Sequence, residues 1–531
     1  MSIETDSELG RQQGEPSHAR AVVAEVLGWA FALAMALLVT AHISTSRAEL
    51  VFIDADSMFN ALLTHSIASG APQSWAMSPV LFVPEAIAFG AVSVFVPDLH
   101  SAFIVSSVVN FVALYGAFRV ASGSRRTASA PVLGAVAGYA AFGAISLLES
   151  GGDRNSLQLA SLLGTTTYYS ATVIGSVLAI GLVRRALDTG RLRARAWAPL
   201  AAVVAVSAFS NPLIVVWAVA PTALVLVTMA IRARWRMPQP PPLPLQLVFV
   251  LAGASAVGIV ARAALGDLIV AQGSEYLKDG NQFGAMGDLL HRLAAELARP
   301  GGIGAAILIV GVTVLAIALT FSRTAHAKPG AGLLVAVAWI APLACTVGVI
   351  LLGNPSPRYL QPWVFAPVLV LACLAEWTPP RLTWRQRRDE RRRGSVLALA
   401  AASVVIVVLG GIGVARLATA PTTASATSLA CVVDWVNATD EHGAGQFWTI
   451  RAPKAYAADP AQLLQVTHDL HPYVWLVNRT DDETTSVSFL ITDAQSAPFA
   501  LPGGLELADA ATIDCGRYTI HDFGSTSIPV F

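Results

Sequence analysis

Residues 21–43 read AVVAEVLGWAFALAMALLVTAHI and contain one acidic side chain and no lysine or arginine. A helix needs about 20 predominantly apolar residues to cross about 30 Å of hydrocarbon. Comparable stretches recur along the 531 residues, of which 55% are hydrophobic and only 13% charged; soluble domains have about 25% charged residues. The composition predicts an all-α polytopic membrane bundle whose first helix is not cleaved, and the zero net charge gives no support for nucleic-acid binding.

The hydrophobic pattern predicts about eleven transmembrane helices. Their expected spans are 21–43, 101–119, 131–148, 166–184, 197–209, 212–231, 247–262, 303–321, 333–352, 361–376 and 395–415. Arginine clusters follow alternate spans, and such clusters accumulate on the cytoplasmic side of membranes. This rule predicts a multi-pass protein of the cell (plasma) membrane with a cytoplasmic tail, residues 1–20. It requires that the proline-flanked residues 79–96 dip into the outer leaflet without crossing; twelve or thirteen crossings are the alternative.

Residues 197–209 and 212–231 are separated by Ser210-Asn211-Pro212. Proline has no backbone N–H to donate within a helix, and Asn-Pro favours a turn. The sequence therefore predicts a helix break there, with two helices that meet below the outer surface around a polar pocket.

The transmembrane region predicted for residues 21–415 is followed by a segment, 416–531, that contains alternating runs such as VSFLIT and RYTIHDF. Alternation indicates strands, and QLLQVTHDL (462–470) has a helical pattern. We expect a small extracytoplasmic α+β domain with a disulfide between Cys431 and Cys515; two free thiols are the alternative. Its aromatic residues either bind an acceptor or form its core; they are Trp435, Trp448, Tyr473 and Trp475.

The predicted topology places loops 44–100, 149–165 and 263–302 outside the cell. The first contains Asp54-Ala55-Asp56-Ser57 and then a short amphipathic helix that ends at Gly70. Asp56 is equally well explained as a helix N-cap. Asp54 follows the apolar Val51-Phe52-Ile53, where desolvation would raise the pKa of its carboxyl group and make it a usable general base.

Three features in this order resemble the GT-C superfamily of membrane glycosyltransferases. They are the acidic pair after the first span, the in-plane helix followed by Ser78-Pro79-Val80-Leu81-Phe82, and the late stretch Pro357-Arg358-Tyr359-Leu360-Gln361-Pro362. The likeness is to polyprenyl-phosphate-sugar enzymes such as protein mannosyltransferases and lipid A aminoarabinose transferases. It extends over residues 20–415 and is strongest in the first 120 residues and at 355–365.

The resemblance implies an inverting glycosyltransferase with a polyprenyl-phosphate sugar as donor and an envelope glycan, lipid or protein as acceptor. An acid of the first outer loop activates the acceptor hydroxyl in that family, a role that falls here on Asp54 or Asp56. The second acid of the family would be Asp153, with Glu149 as runner-up; Asp153 is equally well a turn residue. Arg358, beside Tyr359, suits a lipid phosphate, or else it extends toward the interface from a helix end.

Other candidates have weaker signals. Tyr276 and Lys278 can meet the sugar or the phosphate from loop 263–302, or belong to a solvated cover, and His65 is a substrate-binding candidate or an interfacial residue. A cofactor is not certain: Asp54, Asp56 and Asp153 can together hold Mg²⁺ or Mn²⁺. The competing functions are a transporter or flippase of a lipid-linked substrate and a non-catalytic membrane scaffold. A transporter usually has paired internal repeats, which the sequence lacks.

Overall fold

The computed structural model describes residues 18–124, 128, 130–190, 194–236, 242–270, 281–323, 327–354, 356–377, 388–419 and 424–531. Its helices from the N-terminus through the membrane region are α1 His18–Ser46, α2 Ala48–Phe52, α3 Phe59–Ala68, α4 Val83–Phe95, α5 Leu99–Ala121, α6 Pro131–Leu148, α7 Ser170–Thr189, α8 Ala194–Ser210, α9 Ala220–Arg236, α10 Leu243–Arg262, α11 Gln282–Leu297, α12 Pro300–Thr320, α13 Pro329–Leu351, α14 Pro362–Phe365, α15 Leu369–Ala372 and α16 Arg388–Ala418.

Within these described ranges, nine helices are long and apolar enough to cross a membrane. They are Ala19–Ser46, Leu99–Ala121, Pro131–Leu148, Ser170–Thr189, Val215–Trp235, Leu243–Leu268, Pro300–Thr320, Pro329–Leu351 and Ala400–Ala418. The protein is therefore a multi-pass helical membrane protein with the lipid bilayer as its surroundings.

Two of the eleven predicted spans are not helices of membrane-crossing length. The span predicted at 197–209 is a shorter apolar helix, Trp197–Ser210. The span predicted at 361–376 is broken into short pieces around Pro362 and Pro367, because proline cannot donate a helical hydrogen bond. Helix α4, which was expected to dip into the membrane, has only 13 residues; it is about 20 Å long, shorter than the hydrocarbon thickness.

The predicted break between α8 and α9 is present. Helix α8 ends at Ser210, and a π-helical turn, Val215–Val219, precedes α9. Asn211 lies in the break and its side-chain amide donates to Thr172 Oγ1 at 2.9 Å. A side chain of a neighbouring helix thus hydrogen-bonds a polar group in the break. Polar groups at a helix break inside a membrane need such partners, because lipid offers none.

The bundle has two chemically different ends. At one end Arg119 pairs with Glu25 of α1, and Glu376 pairs with Arg184 of α7 and with Lys328. The other end contains the loop after α1, residues 149–168 and the turn at 357–360. The first two of these segments also contact the C-terminal domain, through Arg451 at the carbonyl of Ala55 and through Arg154 at the Trp448 ring.

The C-terminal domain contains α17 Ala424–Ala438 and α18 Phe447–Tyr456 beside a five-stranded sheet. Its strand order is β3-β2-β6-β8-β7, with β2 Gly443–Gln446, β3 Leu463–Val466, β6 Phe489–Thr492, β7 Ala511–Cys515 and β8 Tyr518–Asp522. Strand β2 is parallel to β3 and β6, and the other pairs are antiparallel. Two short strands, β5 Ser486–Val487 and β9 Ile528–Pro529, form a separate antiparallel pair. The helix predicted over 462–470 is wrong: the fully buried run Leu463–Val466 forms strand β3.

The domain is attached to the first outer loop. Strand β1 Trp75–Ala76 pairs antiparallel with β4 Val477–Asn478 of the domain. The Asn478 side chain accepts from the N–H of Ser74 at 3.1 Å and donates to the carbonyl of Pro72 at 2.7 Å. These contacts hold the domain over the loop that contains the acidic pair.

Cys431 of α17 and Cys515 of β7 form a disulfide with 5.6 Å between their Cα atoms, across a sequence separation of 84. We expect the double variant Cys431→Ser/Cys515→Ser to lower the free energy of unfolding of this domain by about 4 kcal/mol, because the cross-link restricts the unfolded chain. Thermal unfolding with and without reductant measures the effect. Reductant should destabilise the wild type and leave the double variant unchanged; an equal response of both proteins would contradict the prediction.

Candidate active site at the junction of two cavities

Asp54 is a carboxylate held inside the protein. It follows the buried residues of α2, and its side chain is 5% exposed. Tyr168 Oη donates to Asp54 Oδ1 at 2.8 Å, and Arg154 Nη1 lies 3.4 Å from Asp54 Oδ2. Burial and, after it, repulsion from Asp56 raise the pKa of Asp54 to about 6, although Arg154 and the Tyr168 hydroxyl oppose the shift. A carboxyl group with this pKa is suited to accept a proton near neutral pH.

Asp56 forms an ion pair with Arg358, the arginine that the sequence singled out as a phosphate-binding candidate. Arg358 Nη1 lies 3.1 Å from Asp56 Oδ2, across 302 residues of sequence. Arg358 stands on a 3-10 turn, Pro357–Leu360, whose tight geometry follows from Pro357 at its start. The Arg358 Nε atom has no hydrogen-bond partner within the part of the chain that the structure describes. Arg358 therefore retains donor capacity for a ligand.

The two acids face different cavities. Asp54 lines a polar cavity of about 480 Å³, which the C-terminal domain closes on one side. Asp56 lines an apolar cavity of about 560 Å³. Trp448 of α18 lines both, and the Arg154 guanidinium lies 3.5 Å from the centre of its ring. Residues 54–56 and Trp448 thus form the boundary between the two cavities.

The apolar cavity extends from membrane level to the C-terminal domain. Its lower part is formed by Val349 and Leu352 beside α13, by Trp217 of the π-helical turn, and by the helix break at Asn211-Pro212. This lining is mainly apolar, whereas the sequence predicted a polar pocket at the break. The roof is aromatic and comes from the C-terminal domain; it consists of Phe447, Trp448, Tyr473 and Trp475.

Backbone strain is concentrated around this apolar cavity. Three of its lining residues, Phe82, Tyr169 and Leu476, have positive φ angles of 50°, 68° and 52°. Non-glycine residues adopt this conformation at an energetic cost, and such positions cluster at functional sites. Tyr169 stacks between Phe82 and Tyr359, at centroid distances of 6.3 and 6.2 Å. The strain therefore places aromatic rings beside Arg358.

The remaining predicted residues are placed as follows. Asp153 is exposed on the polar cavity, and its Oδ1 accepts from the N–H of Asn155 as in a turn. Glu149 is buried and accepts from the N–H groups of Ala160 and Ser161, so it fixes its loop and does not face either cavity. His65 lines a separate small pocket, and Tyr276 and Lys278 lie outside the described residues.

The three candidate metal ligands have different surroundings. Asp54 and Asp56 are engaged by different arginines and face different cavities, and Asp153 shares only the cavity of Asp54. Over the ranges that the structure describes, no group of three or more His, Cys, Asp and Glu side chains is placed to hold a metal ion. A cation held by these acids stays a prediction, and the chemistry below is derived from side chains alone.

Three residues of the site were not singled out as catalytic or binding residues from the sequence. Arg154 and Tyr168 bind Asp54. Arg451 of α18 is completely buried, and its Nε donates to the carbonyl of Ala55 at 3.3 Å, between the two acids. The sequence could have identified Arg154 as a site residue, because it is a cation in a predicted outer loop where cations are scarce. The other two, Tyr168 and Arg451, depend on tertiary contacts.

We expect Asp56→Asn to lower the pKa of Asp54, because it removes a like charge, and Arg154→Gln to raise it, because it removes an opposite charge. Infrared titration of the protonated carboxyl band measures both shifts, and the band is assigned by its loss in Asp54→Asn. If this band in the wild type titrated near 4, the ordinary value for aspartate, burial would not control the group.

No family model matches the chain, and no curated protein matches it. The interpretation of the site therefore depends on its geometry and on the resemblance of its motifs.

Proposed function

We propose that the protein is an inverting glycosyltransferase of GT-C type that moves a sugar from a polyprenyl phosphate to a cell-envelope acceptor. The observation that supports this most strongly is the position of the acidic pair. A buried carboxylate with a raised pKa and an ion-paired arginine stand at the boundary between an apolar and a polar cavity. Transfer between a lipid-linked donor and a polar acceptor needs such a boundary.

The apolar cavity suits the donor. Its walls reach down beside α13, so the proposed polyprenyl chain would enter from the membrane. The phosphate would lie at Arg358, whose guanidinium forms charge-assisted hydrogen bonds with phosphate oxygens. Asp56 holds that guanidinium in place, and the aromatic rings of Tyr169 and Tyr359 stand beside it.

The polar cavity suits the acceptor, and Asp54 suits the general base. In the proposed step the Asp54 carboxylate takes the proton of the acceptor hydroxyl while the hydroxyl oxygen bonds to the anomeric carbon of the donor. The bond from that carbon to the phosphate oxygen breaks, and its electron pair remains on the phosphate, which Arg358 stabilises. Attack opposite the leaving group inverts the anomeric configuration.

We also propose that this end of the bundle faces the outside of the plasma membrane. The opposite end carries Arg119, Arg184, Arg185 and Lys328, as expected for the cytoplasmic side. An extracytoplasmic location of the C-terminal domain agrees with its disulfide, since disulfides persist in oxidising compartments.

A flippase is the competing function, and the position of the cavities favours the transferase. Both cavities lie at the end of the bundle that meets the C-terminal domain. Passage of a lipid headgroup would need a polar path between the two ends. At the opposite end the described residues include a buried ion pair, Arg184 with Glu376, and neither cavity is lined by residues of that end.

Measurements of sugar transfer from a polyprenyl-phosphate donor test the proposed roles of Asp54 and Arg358. We expect Asp54→Asn to lower kcat by about 10²- to 10⁴-fold, because it removes the general base. Arg358→Ala should raise the KM for the donor, and Arg358→Lys should restore part of the affinity, because lysine keeps the charge without the bidentate geometry. Wild-type activity should fall as the pH drops below about 6, where Asp54 becomes protonated.

The matched control is Asp288→Asn, an exposed carboxylate of α11 that lines neither cavity. It should keep wild-type transfer. Full activity of Asp54→Asn in membranes with normal expression would exclude Asp54 as the base, and unchanged transfer in every variant would exclude this site.

The proposed orientation has its own test. A reporter fused after Arg126 should be active only in the cytoplasm, and one fused after Phe531 should be active only outside, because the arginine-rich end is retained inside. Fusions with a cytoplasmic fluorescent reporter and an external phosphatase reporter measure both sides. External activity after Arg126 would contradict the orientation.

A further inference from the structure

The polar cavity contains more acidic than basic side chains, and this limits what it can bind. Four carboxylates line it, those of Glu49, Asp54, Asp153 and Asp493, whereas only two guanidinium groups do, those of Arg154 and Arg517. The apolar lining is small compared with that of the neighbouring cavity. The volume of the polar cavity is about 480 Å³, which lies in the range of cavities that bind small organic ligands.

Both guanidinium groups of this cavity already have carboxylate partners. Arg154 lies 3.4 Å from Asp54 and over the Trp448 ring. Arg517 lies 3.4 Å from Glu49 and 3.5 Å from Asp493. An anionic ligand would meet four carboxylates at short range, and the charges of the two guanidinium groups are already balanced by these carboxylates. The lining therefore repels phosphate and carboxylate groups.

Two of the carboxylates are accessible to a ligand. The Glu49 side chain is 56% exposed, and Asp153 is an exposed residue. Carboxylate oxygens accept hydrogen bonds from hydroxyl and ammonium groups. Asp493 contributes its charge but is not accessible to a ligand. Its side chain is only 2% exposed and accepts a hydrogen bond from Thr449 Oγ1 at 2.7 Å.

From this charge balance we infer that the acceptor is an uncharged or amino-bearing carbohydrate, and not a phosphorylated lipid or an acidic polymer. This inference rests on the proposed function, since it assigns the acceptor to the polar cavity. The attacking hydroxyl would lie at Asp54, and hydroxyl or ammonium groups of the same molecule would lie at Asp153 and Glu49.

Binding of soluble probes tests the inference without turnover. The full-length protein in nanodiscs of uncharged lipid is titrated just above pH 6, where Asp54 is mostly ionised. The probes are three tetrasaccharides: chitosan tetramer, which is cationic, N-acetylated chitin tetramer, which is neutral, and tetragalacturonate, which is anionic. Ligand-observed NMR gives the dissociation constants. We expect the cationic probe to bind most tightly and the anionic probe to bind about tenfold more weakly or not at all.

Charge variants identify the site. Asp153→Asn combined with Glu49→Gln should reduce the preference for the cationic probe about three- to tenfold. Asp153→Asn keeps the side-chain oxygen that accepts from Asn155, so the loop should keep its fold. Asp288→Asn removes an equal charge elsewhere and should leave the three affinities unchanged. Binding of the anionic probe as tight as that of the cationic one, an unchanged preference in the double variant, or no binding of any probe would overturn the inference.

The two proposals fail separately. If the probes bind in the expected order while Asp54→Asn and Arg358→Ala leave sugar transfer unchanged, the proposed function is wrong and the charge selectivity stands. If those variants abolish transfer while the probes bind in another order, only the acceptor class is wrong.

Discussion

The structure depends on keeping two carboxylates ionisable at the edge of a hydrophobic bundle. A charged group that leaves water without a partner is strongly unfavourable, whereas a paired and hydrogen-bonded one is tolerated. Asp54 and Asp56 meet this requirement in different ways. Asp56 has a direct ion pair with Arg358 at 3.1 Å, whereas Asp54 has a longer contact with Arg154 and a hydroxyl donor from Tyr168. Burial raises the pKa of Asp54 to about 6 despite these two contacts.

The same requirement explains why the C-terminal domain is close to the membrane region. Trp448 supports the Arg154 guanidinium, and Arg451 reaches under the acidic pair to the carbonyl of Ala55. Burial lowers the pKa of Arg451 to about 10, which still leaves it protonated at neutral pH. Its positive charge lies near Asp56, so the domain supplies part of the electrostatic balance of the site. The polar cavity exists only because the domain closes it.

The membrane helices were predictable because long apolar runs have few other interpretations. The proximity of Asp54, Asp56 and Arg358 was predictable only through the order of motifs, since no local rule brings residues 302 positions apart together. Short apolar runs were less informative: Leu463–Val466 is a strand, although its surroundings have a helical pattern. His65 and Glu149 have the right chemistry and the right loop, but packing directs them elsewhere.

The apolar cavity lies where the helical bundle departs from regular geometry. Regular helices satisfy their own backbone and pack closely. Here the break at Asn211-Pro212, the π-helical turn with Trp217, and the positive φ angles of Phe82 and Tyr169 all border one cavity. Each departure from regular geometry is unfavourable by itself. Their common location indicates that the fold accepts this strain to hold a space beside Arg358.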